Sequence, residues 1–364
     1  MEWSFGKGEW MRVKKYEIAR AIDKIKSVVQ KNEQIKALAG ILVKDGYLTG
    51  SNAEITVQVK LEGSAGEAFI IPMAAFDLIR NLPEGDVDIT ADENNVVTIK
   101  MARITNRYQS FPPDAFSFYK PDTELGEELI LPGEELMEAL GHVVFAAADK
   151  DVNATMNGIY FDGGENCLNV VGLDGHVIAW DKVSAQGVSE MKAIVPKTAV
   201  KKLLSMGMTD DVRVSHDKQS IIFRTDEYKI SSRLIDGKYF AYQRMFQDSP
   251  IFTVVAKKDL VDAMTRAKMC TTEGRAAIFR LLGSEMNVSI TDTAADYNET
   301  VPLEVDISPQ DVRIGFNSKL VLDTIKAFTC ENITLNFSTS VQPMYVGAED
   351  SDMRALVLPV KLKD

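Results

Sequence analysis

The feature that most constrains this fold is internal: the chain reads as one pattern written three times. Ala39-Gly40-Ile41-Leu42-Val43, Asn157-Gly158-Ile159-Tyr160-Phe161 and Ala276-Ala277-Ile278-Phe279-Arg280 place their central isoleucines 118 and 119 residues apart. A fixed period of this kind ranks ahead of any single motif, because each copy must be one structural unit. Each segment opens a strand–turn–strand run. Asp45-Gly46 turns the first, Gly163-Gly164 and Asp174-Gly175 the second, and Gly283-Ser284 the third. Ile71-Pro72, Val195-Pro196 and Phe316-Asn317 then lead into expected helices at 73–82, 197–206 and 318–328, followed by strands that open at Asp86, Asp211 and Asn332. A further helix is expected ahead of each unit's first strand, at 15–30, 133–147 and 258–269. Three α+β units of about 121 residues follow, with joins near 120–128 and 248–253, both rich in Pro, Asp, Glu or Ser.

Composition limits what such a chain does. Apolar residues make up 45% and charged residues 26% of 364 residues, enough for a sizeable core. With 41 Lys and Arg against 53 Asp and Glu the net charge is −12, which argues against a protein whose whole surface grips nucleic acid or an acidic membrane. No apolar run approaches the roughly 18 residues of a membrane span, residues 1–9 lack a signal-peptide core, and a cytoplasmic protein is expected. Cys167, Cys270 and Cys330 are too scattered for a disulfide framework or a zinc motif. Phosphate-binding, dinucleotide-binding, metalloprotease and serine-hydrolase motifs are all missing. His142, His176 and His216 stand far apart and read as surface or turn residues. Glu127-Glu128 reads as loop, and Glu134-Glu135 as a helix start where carboxylates suit the dipole. No catalytic residue, metal or cofactor is expected.

Charge is nevertheless placed with a pattern. On the first helix Ile18, Ala21, Ile22, Ile25, Val28 and Val29 share a face, and Arg20, Lys24 and Lys31 form a stripe beside it with Ser27. Lys197 and Lys201 are i, i+4 neighbours with Lys202 adjacent, and Lys319 and Lys326 share a face in the third unit. Lys257, Lys258, Arg266 and Lys268 flank the helix before it. On any one helix a solvated surface explains such charges. Their recurrence on equivalent helices of an acidic protein points to an anionic partner. The helix at 133–147 departs from the pattern, with Glu134, Glu135 and Glu138.

Four segments carry a family resemblance: Asn157-Gly158-Ile159-Tyr160-Phe161, Leu173-Asp174-Gly175-His176-Val177-Ile178-Ala179, Ser232-Arg233-Leu234-Ile235-Asp236-Gly237-Lys238-Tyr239 and Leu358-Pro359-Val360-Lys361-Leu362. Together, in order and over the whole length, they resemble the bacterial sliding clamps, the beta subunit of DNA polymerase III. The resemblance implies an α+β DNA-clamp fold of three tandem domains, 1–126, 127–249 and 250–364, with sheets outside and two helices from each lining a central pore. It implies a ring-shaped head-to-tail homodimer around double-stranded DNA, bound without sequence readout and associated with the nucleoid. Arg20, Lys24, Lys31, Lys150, Lys197, Lys201, Lys202 and Arg266 would face the DNA. Arg107 and Tyr108 on one side, and Met269 and Cys270 on the other, would form the joint.

The resemblance further implies non-catalytic tethering of polymerase, clamp loader and repair proteins by short peptides. Their cleft would be built from Met156, Leu173, Gly175, His176, Val177 and Ile178 in the second unit, with Phe240, Arg244 and Met245 at its end. Asn317, Leu320, Val341, Leu356, Leu358, Pro359, Val360, Lys361 and Leu362 would complete it from the third. Val177 and Leu173 stand where an arginine and a threonine are common, Phe240 replaces a frequent proline and Leu320 a frequent aromatic. Residues 149–155 lack the arginine and aromatics some members place near DNA, leaving Lys150; residues 1–10 are additional sequence at the start or a differently built first strand, and Lys363-Asp364 extend past the usual end. Two other readings remain: an enzyme with an interdomain site near His176 and Asp174, and a repeat scaffold that never closes.

Overall fold

The computed structural model describes residues 9–61, 68–118, 125, 127–247, 249–270, 276–291 and 296–362. Most of the expected join at 120–128, Asp248 in the second join, residues 1–8 and Lys363-Asp364 lie outside them. Within the described residues the period is plain, since each third of the chain contributes eight strands and two α-helices in one order.

The first copy runs β1 (Glu9–Lys14), α1 (Lys15–Ile25), β2 (Gly40–Lys44), β3 (Tyr47–Ser51), β4 (Ile55–Lys60), β5 (Phe69–Pro72), α2 (Phe76–Asn81), β6 (Asp86–Ala91), β7 (Val96–Met101) and β8 (Ile104–Gln109). The second runs β9 (Leu129–Leu131), α3 (Gly133–Val143), β10 (Gly158–Gly163), β11 (Cys167–Leu173), β12 (Val177–Ser184), β13 (Lys192–Pro196), α4 (Lys197–Met206), β14 (Val212–His216), β15 (Ser220–Arg224) and β16 (Tyr228–Arg233). The third runs β17 (Ile251–Ala256), α5 (Lys257–Met269), β18 (Ala276–Leu282), β19 (Glu285–Thr291), β20 (Asp296–Pro302), β21 (Asp311–Asn317), α6 (Ser318–Ala327), β22 (Asn332–Phe337), β23 (Met344–Ala348) and β24 (Ser351–Val357). Each copy is itself a strand–helix–three-strand unit used twice.

The contacts divide the chain into two compact units, Met1–Ile130 with Ser205–Leu234, and Leu131–Leu204 with Ile235–Asp364. The first holds the four-stranded sheet β1-β6-β7-β8 and an eight-stranded sheet ordered β5-β2-β3-β4-β16-β15-β14-β9. In the second are the eight-stranded β13-β10-β11-β12-β24-β23-β22-β17 and the four-stranded β20-β19-β18-β21. The strands pair antiparallel, and those consecutive in sequence, such as β2-β3-β4 and β10-β11, are joined by tight hairpins. The eight-stranded sheets arise because the last strand of one half-copy pairs with the last strand of another, β4 with β16 and β12 with β24. Helix faces close the cores: Ile18, Ile22 and Ile25 of α1 in the first unit, and Leu260, Ala263 and Met264 of α5 in the second, are buried.

The structure alters three expectations. The helix expected at 15–30 stops at Ile25, and the backbone tightens through Val28 N–H to Ile25 O (2.9 Å) and Val29 N–H to Lys26 O (3.2 Å). Val28 and Val29 stay buried beyond the helix end, so the apolar period outlasts the helix itself. Lys31 therefore lies past α1 rather than on it. The helix expected at 133–147 ends at Val143 and passes into a 3-10 turn, Val144–Ala146. Finally, His142 is neither surface nor turn: it is buried on α3, with Nδ1 2.6 Å from the equally buried Asp181 Oδ2.

Candidate functional site

One face of the larger sheet in the second unit carries an apolar row. Leu173 lies opposite Ile178, Ile178 opposite Leu356, and Leu356 opposite Tyr345, across β11, β12, β24 and β23. Facing residues on paired strands share a side of the sheet, so the row is a floor. The segment after β16 crosses it as a roof. Tyr239 stacks on Tyr160 (centroids 4.6 Å apart), and Tyr242 lies edge-on to Trp180 (5.1 Å) in the 3-10 turn Tyr242–Met245. Asp162 holds this turn by accepting from the Tyr242 hydroxyl (2.9 Å) and the Gln243 amide (3.2 Å). At its far end the Tyr345 hydroxyl donates to Met245 O at 3.2 Å. Burial pushes the Tyr160 hydroxyl up to about 12, and raises those of Tyr239 and Tyr242 further.

Between floor and roof lies a cleft of about 450 Å³. Eleven of the expected residues line it: Met156, Leu173, Gly175, His176, Val177, Ile178, Phe240, Arg244, Met245, Leu356 and Leu358. Met245 (37% exposed) and Leu358 (38%) form apolar lips. Asp174 and Gly175 shape one wall. The Asp174 carboxylate accepts from the backbone N–H groups of His176 (2.8 Å) and Val177 (2.9 Å), while Gly175 takes φ +84°, a conformation that favours glycine. Among the described residues no hydrogen bond joins the Asp174 carboxylate to the His176 ring, so the pair that motivates the enzyme reading is not formed.

The other seven expected residues do not line the cleft. Asn317 caps α6, accepting from Lys319 N–H (3.0 Å) and Leu320 N–H (3.3 Å). Leu320 is half-buried on that helix, and Val341 is exposed in the turn before β23. Pro359, Val360, Lys361 and Leu362 continue from the cleft along β21, where Val360 N–H donates to Gly315 O (2.8 Å). Gly315 leaves this path open, since a Cβ there would stand 2.5 Å from Leu362 Cδ2. Gln247, Gln342, Pro343 and Tyr345 line the cleft without having been anticipated. Alternation along β23 places Tyr345 on the floor, whereas the two glutamines carry no local signal.

The basic residues fall into distinct surroundings. Arg20 is exposed, and Lys24 donates to Met206 O (2.8 Å) at the end of α4, with its ammonium 5.7 Å from the Tyr228 ring centroid. Lys31, Lys150 and Lys201 are exposed. Lys197 and Lys202 depart from the expectation of open cations, because both are buried; Lys197 donates to Ala147 O at 2.6 Å. Arg266 forms a two-pronged pair with Glu299 (2.5 and 2.8 Å). Of the expected joint residues, Arg107 and Tyr108 lie on β8 at the edge of its sheet. Met269 is 79% exposed at the end of α5, beside half-buried Cys270. Among the described residues no cluster of three or more His, Cys, Asp or Glu side chains could hold a metal ion, and no helix is long and apolar enough to cross a membrane.

Comparison with known proteins gives this arrangement its class. Models of the central and the C-terminal domain of the DNA polymerase III beta subunit match residues 130–240 and 246–361. The chain belongs to the DNA polymerase III beta-subunit family, the beta sliding clamps. Relatives include the beta sliding clamp of Escherichia coli (strain K12), 27% identical over 332 residues, covering 88% of this chain and 90% of the relative. The beta sliding clamp of Staphylococcus aureus (strain N315) is 23% identical over 366 residues, covering 92% and 97%. Among solved structures, the sliding clamp of Pseudomonas aeruginosa bound to griselimycin matches with a TM-score of 0.90 at 21% identity, covering 98% of this chain and 100% of that one. The beta subunit of Thermotoga maritima matches at 0.86 and 22%, covering 97% and 100%. These two structural likenesses establish the clamp fold.

Proposed function

We propose that the chain is a sliding clamp, a non-catalytic processivity factor that encircles duplex DNA and tethers replication and repair proteins through the apolar cleft. The observation that carries this reading is the count of strand edges. Strands β4, β8, β12, β16, β20 and β24 occupy equivalent places in the six half-copies, and four of them are paired, β4 with β16 and β12 with β24. Among the described residues β8 and β20 remain at outer edges. Joining β8 of one protomer to β20 of another continues the same pairing rule. Such a head-to-tail contact gives a ring where its rotation closes and a filament where it does not. Arg107 and Tyr108 on β8 form one half of this joint. Met269 and Cys270 form the other, at the end of the helix whose Ala263 carbonyl accepts from Tyr297 of β20 (3.0 Å).

The three sequence copies, 1–126, 127–249 and 250–364, are the domains of this ring, and Arg20, Lys24, Lys31, Lys150, Lys201 and Arg266 belong to its DNA side. Enclosure replaces adhesion. Each firmly neutralised phosphate adds salt-dependent affinity, and base contacts would pin a protein that must slide. A net charge of −12 suits a ring and not a grasping protein. Partners of the cleft are extended peptides with two apolar anchors, polymerase, clamp-loader and repair proteins among their sources. Two buried anchors supply about 3–6 kcal/mol before ordering costs, compatible with exchange near micromolar affinity. The setting is cytoplasmic, on the nucleoid. Light scattering checks closure: a mass twice the 40.3 kDa chain, with particles showing a central opening, is expected. A monomer or an open filament at working concentration would overturn the ring.

A further inference from the structure

Asp149, just after the 3-10 turn that follows α3, lies against two cations of α4. Its Oδ1 is 2.9 Å from Lys197 Nζ and 3.5 Å from Lys201 Nζ. The two lysines differ in freedom. Lys197 is buried and also held by Ala147 O, whereas the side chains of Lys201 and Asp149 are 58% and 79% exposed. Lys197 above all, then Lys201, holds the Asp149 carboxyl below the usual carboxylate range, so it is ionised at neutral pH. A carboxylate this exposed is a weak structural tie, because water competes for both partners. What it changes is local charge: two cations on one helical turn present a net charge of one. Arg266 repeats the theme in the third copy, where Glu299 occupies both prongs of its guanidinium.

We propose that Asp149 is an internal stand-in for a DNA phosphate, which neutralises a cation that α4 would otherwise offer to the duplex and so keeps this face slippery. The inference rests on the clamp reading, which turns α4 toward DNA. A passing phosphate must displace the carboxylate from Lys201 before it gains a full partner, and the carboxylate returns when the phosphate moves on. The loop between α3 and β10 thereby sets the strength of the non-specific grip.

The test is a salt titration of binding to a duplex oligonucleotide, comparing the intact full-length chain with Asp149→Asn, Asp149→Glu and Lys201→Gln. Non-specific affinity falls with salt at a log–log slope of about −0.9 for each phosphate neutralised. Asp149→Asn is expected to bind more tightly at low salt, with a slope steeper by about one unit, which is about a threefold to fourfold gain for each fourfold dilution of salt. Asp149→Glu restores the wild-type slope, and Lys201→Gln makes it shallower. Should the Asn variant fold poorly, Asp149→Ser gives the same comparison. An unchanged slope in a folded Asp149→Asn or Asp149→Ser protein, or weaker binding, overturns the proposal while leaving the clamp reading intact. Binding that is absent at low salt in both the wild-type chain and Asp149→Asn also overturns the proposal. The clamp reading, which needs enclosure and not adhesion to an open duplex, is tested separately by the dimer mass and central opening.

Discussion

Replacing Asp162 by alanine isolates what keeps the cleft roofed. The carboxylate accepts from the Tyr242 hydroxyl at 2.9 Å, the Gln243 amide at 3.2 Å and the Tyr160 hydroxyl at 3.3 Å. Tyr242 is buried, so its hydroxyl loses a charged acceptor without access to bulk water, a cost of about 1.5–3 kcal/mol. Gln243 is exposed and turns to solvent, and the long Tyr160 bond adds little. The loss falls on the turn that carries Arg244 and Met245, so part of it appears as a smaller binding-competent fraction. The Tyr345 hydroxyl still holds Met245 O. A threefold to tenfold weaker affinity is expected, because about 1.4 kcal/mol corresponds to tenfold. The assay is anisotropy with a labelled short peptide bearing two apolar side chains, with urea unfolding in the same buffer. Trp180 emission reports the roof, since its ring contacts Tyr242 (5.1 Å) and Phe246 (5.7 Å). Asp162→Asn, which keeps a neutral acceptor, should fall between wild type and alanine. Full loss of stability with affinity unchanged within about twofold would refute the idea that this carboxylate positions the site.

Three further outcomes are expected. Stability falls as pH rises above about 10, because unfolded tyrosines lose protons there. Folded Tyr160 keeps its proton to about 12 and Tyr239 and Tyr242 keep theirs longer, and Tyr242→Phe should soften the fall in urea midpoints measured across that window. Gly163→Ala costs more than about 3 kcal/mol, since a Cβ there would collide with the Val188 carbonyl oxygen and the backbone must shift; chemical denaturation checks it. Asp181→Ala strands His142, whose Nε2 has no hydrogen-bond partner among the described residues, and lowers stability by about 1–3 kcal/mol in the same measurement.

The sequence made the repeated order of elements legible because its turns are chemically marked. Asp45-Gly46 and Gly283 fall where positive φ is required, and Pro72 and Pro196 end strands just ahead of helices. What it could not reveal was partner choice between distant edges. Nothing in the alternation of β4 or β12 announces β16 or β24, since any antiparallel edge offers the same backbone groups. The family resemblance implies the cleft floor along β11 and β12, whereas Tyr345 is placed on it only by its register with Leu356. Lysine burial is hidden from the sequence for a related reason. Helical periodicity places Lys197 on a polar face, but the neighbouring carbonyl of Ala147 and the carboxylate of Asp149 come from another segment and let the ammonium bury. His142 likewise found its partner, Asp181, 39 residues away on β12.

Enclosure is tested most directly by loading the protein on nicked circular DNA and cutting the circle once while retention is followed in high salt. Lasting retention on the circle and rapid loss on linearisation are expected, with blocked ends restoring retention. Equal retention on circular and open linear DNA would contradict enclosure.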